Sequence, residues 1–316
     1  MWAFIARRCL VSIPVLISAS VALFVVLYIL PGDPAAFVLG DAATPAQLAA
    51  FRHTLGLDRP VLVQYLMWIG DLLRGNLGNS LVNGYPVARL IGQRIPVAFE
   101  LTAGAMLIGC VLGGAMGLFV GVRPHSRLAR IIDLVNATAI AMPVFWLGLL
   151  LQIVVAVQLG WLPAGGYVAF TVDPIRCLRS LALPCLTLGV GTAAVLARFL
   201  ATGIQETISR DFVLTARAKG LPRSRILLKH VLRNAAIPSV TVLSIQFGRL
   251  IGGAVLTEVV FNLPGLGTLL WMALVQRDYF VIQAVTLLAV LAFVVVNLAA
   301  DIAYGVIDPR IRTNRR

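Results

Sequence analysis

Residues 211–238, DFVLTARAKGLPRSRILLKHVLRNAAIP, are the longest charged interruption in the C-terminal half of an otherwise apolar chain. Gly220 is expected to end a helix here, because glycine is the usual residue just past a helix end. Pro222 fits the first turn of a second helix, where its missing N–H would be unpaired anyway. Small or apolar residues recur every four positions before the glycine, and this spacing predicts one helical stripe formed by Ile204, Ile208, Phe212 and Ala216.

A basic stripe is expected on the second helix, formed by Arg225, Lys229 and Arg233. Two short amphipathic helices joined by a glycine bend have a shape suited to docking against another protein. Two other interpretations explain the charge but do not require the bend. The first is a cytosolic loop whose basic residues only fix topology. The second is a basic helix lying on anionic lipid.

The composition indicates a membrane protein. The chain has 316 residues, of which 59% are hydrophobic and 12% are charged, and its mean hydropathy is +0.93. The basic pI does not indicate nucleic acid as a partner, because the charges are placed between apolar runs. The four cysteines show no paired spacing, which indicates packing and not a disulfide or metal framework. Arg7 and Arg8 precede an uncharged run too long for a signal-peptide core, so an uncleaved first span is expected.

Six transmembrane helices are predicted, since each span needs about 20 apolar residues. The fold class is therefore an all-α membrane protein with a single transmembrane domain over residues 1–316. A long first loop at residues 31–95 and a connecting loop at residues 204–236 separate the spans. The spans are predicted at residues 9–30, 101–122, 134–158, 181–201, 237–260 and 280–304.

Basic residues predict the orientation. Sixteen of the 26 Lys and Arg residues lie at the N-terminus, in the loop near residue 125, in the connecting loop and in the tail. The loops between them hold fewer, and acidic residues largely balance those of the first loop. By the positive-inside rule both termini and the connecting loop are cytoplasmic, and the first loop is extracytoplasmic.

The second span carries a glycine at every fourth position, namely Gly109, Gly113, Gly117 and Gly121. On a helix these residues form a groove that another backbone can approach closely, so helix packing is the favoured role. The first loop contains an amphipathic segment whose apolar face is formed by Leu62, Tyr65, Leu66 and Ile69. Its aromatic residues are expected at the membrane–water boundary.

Arg249 lies deep in the predicted fifth span, with Glu258 nearer its outer end. Burial of either charge alone is expensive, so each is expected to face protein or a water-filled path. The two cannot pair on one helix face, because nine residues separate them by about half a turn. They are therefore either satisfied by neighbouring helices or part of a translocation path in which Arg249 attracts a substrate carboxylate.

Several kinds of chemistry find no support in the sequence. Neither of the two lysines follows a glycine, as a phosphate-binding P-loop would require. The three histidines begin no HExxH motif, and His53 is expected across the membrane from His125 and His230, so no metal site is predicted. A nucleophile elbow is also missing from the printed sequence. No catalytic residues are therefore assigned.

The chain resembles the permease subunits of binding-protein-dependent ABC importers of the dipeptide/oligopeptide type. The sequence TARAKG at residues 215–220, followed by Ile237 and Pro238, is similar to their "EAA" loop, with Thr215 in place of the generic glutamate. Further similarity is found at residues 30–34, 55–60, 75–80, 258–267 and 308–312. The resemblance assigns docking of the ATPase to Phe212, Thr215, Ala216, Arg217, Ala218, Lys219, Gly220 and Leu221.

The resemblance also implies the partners and the location. A second permease would form a heterodimer with this chain, two cytoplasmic ATPase subunits would hold ATP and Mg, and an extracytoplasmic binding protein would deliver the peptide substrate. The expected location is the bacterial inner membrane, with lipid around the spans and no cofactor in this chain. Alternatives within the family are a nickel or glutathione permease. An ion-coupled secondary transporter and a structural membrane scaffold are alternatives of other classes.

Overall fold

The computed structural model describes residues 2–29, 34–40 and 42–307, and their regular structure is helical apart from one isolated antiparallel bridge between Asn79 and Pro86. The all-α class predicted from the sequence is confirmed. The motifs noted at residues 30–33 and 308–312 lie outside the described residues. The helices are α1 (Trp2–Ile29), α2 (Pro34–Leu39), α3 (Pro45–Leu55), α4 (Val61–Leu73), α5 (Val87–Val122), α6 (Arg127–Ala141), α7 (Val144–Leu151), α8 (Pro174–Ile208), α9 (Asp211–Ala218), α10 (Arg223–Arg225), α11 (Leu232–Val260), α12 (Leu266–Val275) and α13 (Tyr279–Ile307).

Four of these helices, α1, α5, α8 and α13, are long and apolar enough to cross a membrane. The number within the described ranges rises to six if two bent pairs each form one span. The first bent pair replaces the straight third span predicted at residues 134–158. α6 ends at Ala141, and the helical stretch Val144–Gln158 leaves it at 109°. Pro143 causes this break, because proline lacks a backbone N–H and forces the preceding residue out of the helical region.

The second bent pair includes the fifth span. α10, a π-helix at Ile226–Val231 and α11 follow one another without a loop. The axis then turns by 50° between Arg223–Ala236 and Pro238–Leu250. The second short helix predicted after Pro222 corresponds to Arg223–Ala236, which joins the next segment at this bend and not through a loop.

The predicted first loop contains three short helices, α2 to α4, and its end from Val87 onward belongs to α5. Thr44 and Gln47 form a capping box at the start of α3, and Gly56 ends α3 in the left-handed conformation. α4 packs on α1 through aromatic rings: the ring of Phe24 lies 5.4 Å from that of Tyr65 and 6.0 Å from that of Trp68. This packing fixes the loop against the C-terminal part of α1.

α5 and α8 form the most extensive helix pair in the described part of the chain. The four regularly spaced glycines of α5, from Gly109 to Gly121, are buried and face α8. A Cβ added to Gly113 would lie 2.6 Å from the carbonyl oxygen of Ala193, and one added to Gly117 would lie 2.8 Å from that of Ala197. The two backbones are therefore in direct contact, an approach that only glycine permits at these positions.

This contact predicts different effects for two neighbouring glycines. Gly113→Ala forces a methyl group against the α8 backbone and should lower the free energy of unfolding by about 1–3 kcal/mol. Gly114→Ala is the matched control, because a Cβ there meets nothing within 4 Å. That change should be neutral or stabilising by up to about 1 kcal/mol, since alanine favours a helix more than glycine does. Thermal denaturation of the purified protein in detergent measures both, and equal melting temperatures would contradict the α5–α8 contact.

Candidate functional site

The connecting segment, residues 209–231, joins α8 to α11 and carries the short helix α9. α8 ends at Ile208 and α9 begins at Asp211, so the chain turns between the two helices. The single stripe predicted through Ile208 and Phe212 is therefore wrong. Val213 is fully buried in place of Phe212, which is 39% exposed. The turn at Ser209 and Arg210 changes the register, which a periodicity of four could not detect.

α9 has one face fixed to its own chain. Val213 and Ala216 pack into a cluster with residues from both flanking helices: Leu200, Ile204, Ile226, Val231 and Ala235. Ala216 is only 6% exposed, so it is not offered to a partner, as the docking assignment had supposed. Its small size serves the packing of α9 onto α8 and the start of α11.

The rest of α9 is exposed. Phe212 and Leu214 are 39% and 54% exposed, and Leu228 beyond the bend is 61% exposed. Phe212 and Leu214 are two positions apart, so they lie on different sides of the helix. The other exposed residues of the predicted docking set are Thr215, Arg217, Ala218, Lys219 and Gly220. The exposed surface therefore mixes apolar and positively charged side chains. We call Phe212, Leu214 and Leu228 with these neighbours the α9 surface.

Gly220 ends α9 as the sequence predicted, with φ of +72°. Its N–H donates to the carbonyl of Arg217, and the N–H of Leu221 donates to the carbonyl of Ala216, at 2.9 and 3.3 Å. This is the Schellman arrangement, which satisfies the last carbonyls of the helix. Leu221 packs against the buried cluster below. The bend is thus held both by backbone hydrogen bonds and by burial of the residue after it.

Arg249 is exposed on α11, although its neighbours Gln246 and Leu250 are 7% and 5% exposed. Among the described residues no carboxylate or hydrogen-bond acceptor pairs with its guanidinium. A charged side chain on an apolar helix needs a partner or water. The structure therefore leaves Arg249 available to a second protein or to a water-filled path.

Glu258 has a structural role, so of the two alternatives the structure favours contacts within the protein over a translocation path. Its side chain is 1% exposed, and its carboxylate accepts a hydrogen bond of 2.8 Å from the N–H of Thr268 in the first turn of α12. Negative charge is favourable at a helix N-terminus. A Cβ on Gly265 would lie within 2.4 Å of the carboxylate oxygens, so the glycine leaves the space that the carboxylate fills.

Asp278 is a buried acid that the sequence reasoning missed. It lies 3% exposed before α13 and accepts hydrogen bonds from the Ser80 hydroxyl and, at 3.2 Å, from the N–H of Leu81. It also accepts a long one, 3.5 Å, from the N–H of Val281 at the start of α13. An aspartate just before an apolar run is a typical helix N-cap, and that signal was available. Asp278 therefore ties the first loop to α13.

Tyr167, in the loop before α8, makes a second long-range polar contact between elements. Its hydroxyl donates a 3.0 Å hydrogen bond to Glu100 of α5. Burial, followed by the hydrogen bond and negative charge of Glu100, raises the pKa of Tyr167 to about 12. The phenol therefore stays protonated and remains a donor at all physiological pH values. In the described ranges, His, Cys, Asp and Glu side chains form no group of three that could hold a metal ion.

A multi-pass helical membrane protein with an exposed short helix between a long membrane-capable helix and a bent helix pair has the organisation of a transport permease. Two family models match the chain: "Binding-protein-dependent transport system inner membrane component" over residues 113–313, and the N-terminal part of such components over residues 1–102. The chain belongs to this family and is a permease subunit of an ABC transporter, a class of non-catalytic subunits. The resemblance drawn from the sequence is confirmed.

Curated relatives match over nearly the whole length. A probable peptide ABC transporter permease of Sinorhizobium fredii is 38% identical, with 99% of this chain and 100% of the relative covered. A glutathione transport system permease of Salmonella typhimurium is 40% identical, with 98% of each covered. An oligopeptide transport system permease of Bacillus subtilis is 36% identical, with 98% of this chain and 99% of the relative covered.

The fold is similar to that of a solved ABC transporter. A chain in an inward-facing structure of the MetNI methionine transporter matches with a TM-score of 0.59 and 19% identity, covering 70% of this chain and 97% of that chain. At this identity the likeness concerns the fold alone.

Proposed function

We propose that this chain is one of two permease subunits in an ATP-driven importer of di- and oligopeptides. In this proposal it forms a heterodimer with a second permease, two ATPase subunits hold ATP and Mg on the cytoplasmic side, and an extracytoplasmic binding protein delivers the peptide. The observation that carries the proposal is the α9 surface. α9 is packed to its own chain through Val213 and Ala216 and leaves Phe212 and Leu214 exposed.

The α9 surface suits a protein partner better than lipid alone. Aromatic residues are common anchors of protein interfaces, and Phe212 is an exposed aromatic residue. Arg217 and Lys219 next to it would match an acidic rim on the partner and speed its association. The Gly220 bend fixes the angle at which α9 leaves the bundle, so the surface is pre-organised before the partner binds.

The packing below α9 supplies a mechanical route to the membrane. Val213 and Ala216 contact the end of α8 through Leu200 and Ile204, and the beginning of α11 through Ala235. A force on α9 therefore acts on two long helices at once. Closure of the ATPases would move α8 and α11 relative to their neighbours, and this movement would open the path to the outside.

The proposed substrate class follows from the relatives, which include permeases named for peptides, oligopeptides and glutathione. Glutathione is itself a tripeptide, so this alternative differs in side chain and linkage and not in chemical class. Nickel remains an alternative without a supporting observation. Uptake measured with each candidate in reconstituted vesicles distinguishes these substrates.

The proposed orientation places both termini and α9 in the cytoplasm, and the basic residues support it. Single cysteines at Asn79 and Ser224, two exposed positions, provide the test in a background without the four native cysteines. A membrane-impermeant maleimide added to intact cells should label the first and spare the second. Labelling of both from outside would contradict the proposed orientation and remove α9 from the ATPase side.

Coupling through α9 predicts the effect of Phe212→Asp. The charge should prevent burial of this side chain in the ATPase and weaken binding by about 2 kcal/mol, roughly thirtyfold in Kd. The permease pair itself should assemble normally, because Phe212 lies outside the buried cluster. Co-purification of the ATPase and peptide-stimulated ATP hydrolysis measure the effect. Gly220→Val should act in the same direction, since a left-handed backbone conformation costs a side chain about 1 kcal/mol or more.

Two controls accompany this experiment. Arg225→Ala, on the exposed basic stripe, should change little because a surface ion pair contributes at most about 1 kcal/mol. Ala216→Asp should instead lower the yield of the permease, since it places a charge in the buried cluster. Normal ATPase binding by both Phe212→Asp and Gly220→Val would rule out this surface as the coupling site.

Arg249 is proposed to face the translocation path and attract the peptide carboxylate. Arg249→Gln should then slow uptake of a peptide with a free C-terminus several-fold, by an amount of the order of one charge-assisted hydrogen bond, and leave uptake of the C-terminally amidated peptide unchanged. Arg233→Gln, an exposed cation at the start of α11, is the matched control. If Arg249 instead pairs with the second permease, the variant should lower recovery of the heterodimer. Normal uptake and normal assembly would exclude both roles.

A further inference from the structure

α11 changes direction at Pro238. The helix axis turns by 50° between Arg223–Ala236 and Pro238–Leu250. Proline has no N–H to donate to the carbonyl four residues earlier, and its ring crowds that carbonyl. Sharp kinks are therefore common at prolines within helices. We call Arg223–Ala236 the first segment, and the part of α11 from Pro238 onward the second segment.

Ser239, directly after this proline, has a buried hydroxyl group without a partner. The residue is 5% exposed, and among the described residues no group forms a hydrogen bond with its hydroxyl oxygen. Ser244, five positions further along the same helix, is buried as well, but its hydroxyl donates to the carbonyl of Val240 at 3.0 Å. A buried hydroxyl without a partner costs free energy. Ser239 therefore destabilises the bent conformation.

The burial of this hydroxyl decides where a partner can come from. Its oxygen is covered by its own chain, so lipid and other subunits do not reach it in this conformation. The acceptor must therefore come from a movement of the helix itself. In a straight α-helix a serine hydroxyl reaches the carbonyl four residues earlier, which for Ser239 is the carbonyl of Ala235. The 50° bend lies between these two residues, and the bond is not formed.

The carbonyl of Ala235 contacts α8 instead. A Cβ added to Gly203 would lie 2.9 Å from the oxygen of Ala235, so the two backbones touch at this point. Ala235 is 1% exposed and belongs to the cluster below α9. Its carbonyl thus has one neighbour in the bent conformation, Gly203, and a further one in a straighter conformation, the Ser239 hydroxyl. Two alternative packed arrangements of this kind define a two-state element.

We propose that Pro238 is a hinge with two conformations, the bent one and a straighter one in which the Ser239 hydroxyl donates to the carbonyl of Ala235. The proposal rests on the import function proposed above, because closure of the ATPases would move the first segment through α9. Arg249 lies about 16 Å along the axis beyond the hinge. Straightening by roughly 10° would shift Arg249 by about 3 Å relative to the first segment. The hinge therefore links α9 to the charge proposed for the path.

The distance between two spin labels tests the hinge in the assembled transporter in nanodiscs. Lys229→Cys and Leu256→Cys place the labels at exposed positions of the first and second segments, in a transporter without other reactive cysteines. Double electron–electron resonance should show two populations, which differ by about 3 Å for complete straightening of a helix with this rise per residue. Trapping of ATP with vanadate should change their ratio. A single distance in every nucleotide state and every variant would overturn the proposal.

Substitutions at the hinge give the direction of the change. Ser239→Ala removes the hydroxyl that stabilises the straighter conformation, so the ratio of straight to bent should fall roughly fivefold, the effect of one net hydrogen bond. Pro238→Ala restores the missing N–H and should raise the same ratio. Ser244→Ala is the matched control: its hydroxyl pairs within the second segment, so the ratio should stay unchanged. Equal ratios in the wild type and in both hinge variants would also refute the hinge.

Uptake measurements separate the hinge from the proposed import function. Uptake of a peptide by vesicles that contain the transporter and its binding protein tests import independently of the labels. Uptake together with one fixed distance refutes only the hinge. Ratios that respond to Ser239→Ala and Pro238→Ala but not to ATP support the hinge and refute its coupling to the ATPases through α9.

Discussion

The direct contact between the backbones of α5 and α8 is the constraint on which the bundle depends. Apolar side chains provide little driving force for helix association within lipid, so close packing must supply it. Gly113 and Gly117 permit this packing by leaving the carbonyl groups of Ala193 and Ala197 in contact with α5. Side chains also interlock across the contact, because Thr192 and Ile204 of α8 lie against Gly109 and Gly121, and Ile108 of α5 lies against Gly189. This seam therefore holds the two helices at a defined position along each other.

The same helix α8 connects the seam to the α9 surface. Leu200 and Ile204 lie on α8 just beyond the glycine contacts and form part of the cluster under α9. Ile204 also touches the last glycine of the seam, Gly121. A displacement of α9 would therefore act on the closely packed α5–α8 pair. This arrangement gives the proposed coupling a continuous path of packed atoms and not merely a docking point.

The sequence predicted those features that depend on local chemistry. The Gly220 bend requires a positive φ at one residue, and glycine with a following proline signals it directly. The features that were wrong depend on single interruptions within apolar runs. Pro143 divides the third span, and the turn at Ser209 exchanges Phe212 for Val213 as the buried residue. Hydropathy averages over such interruptions, so it finds the spans but misses their breaks.

The surroundings of the buried acids show why the sequence left two interpretations of Glu258 open. An acid in a helix predicted to span a membrane suggests a path when only its own helix is considered. In the structure Glu258 accepts a hydrogen bond from the first turn of α12, and Asp278 contacts the first loop and the start of α13. The unpaired N–H groups at a helix N-terminus stabilise negative charge, so both acids can be buried in the protein without a substrate.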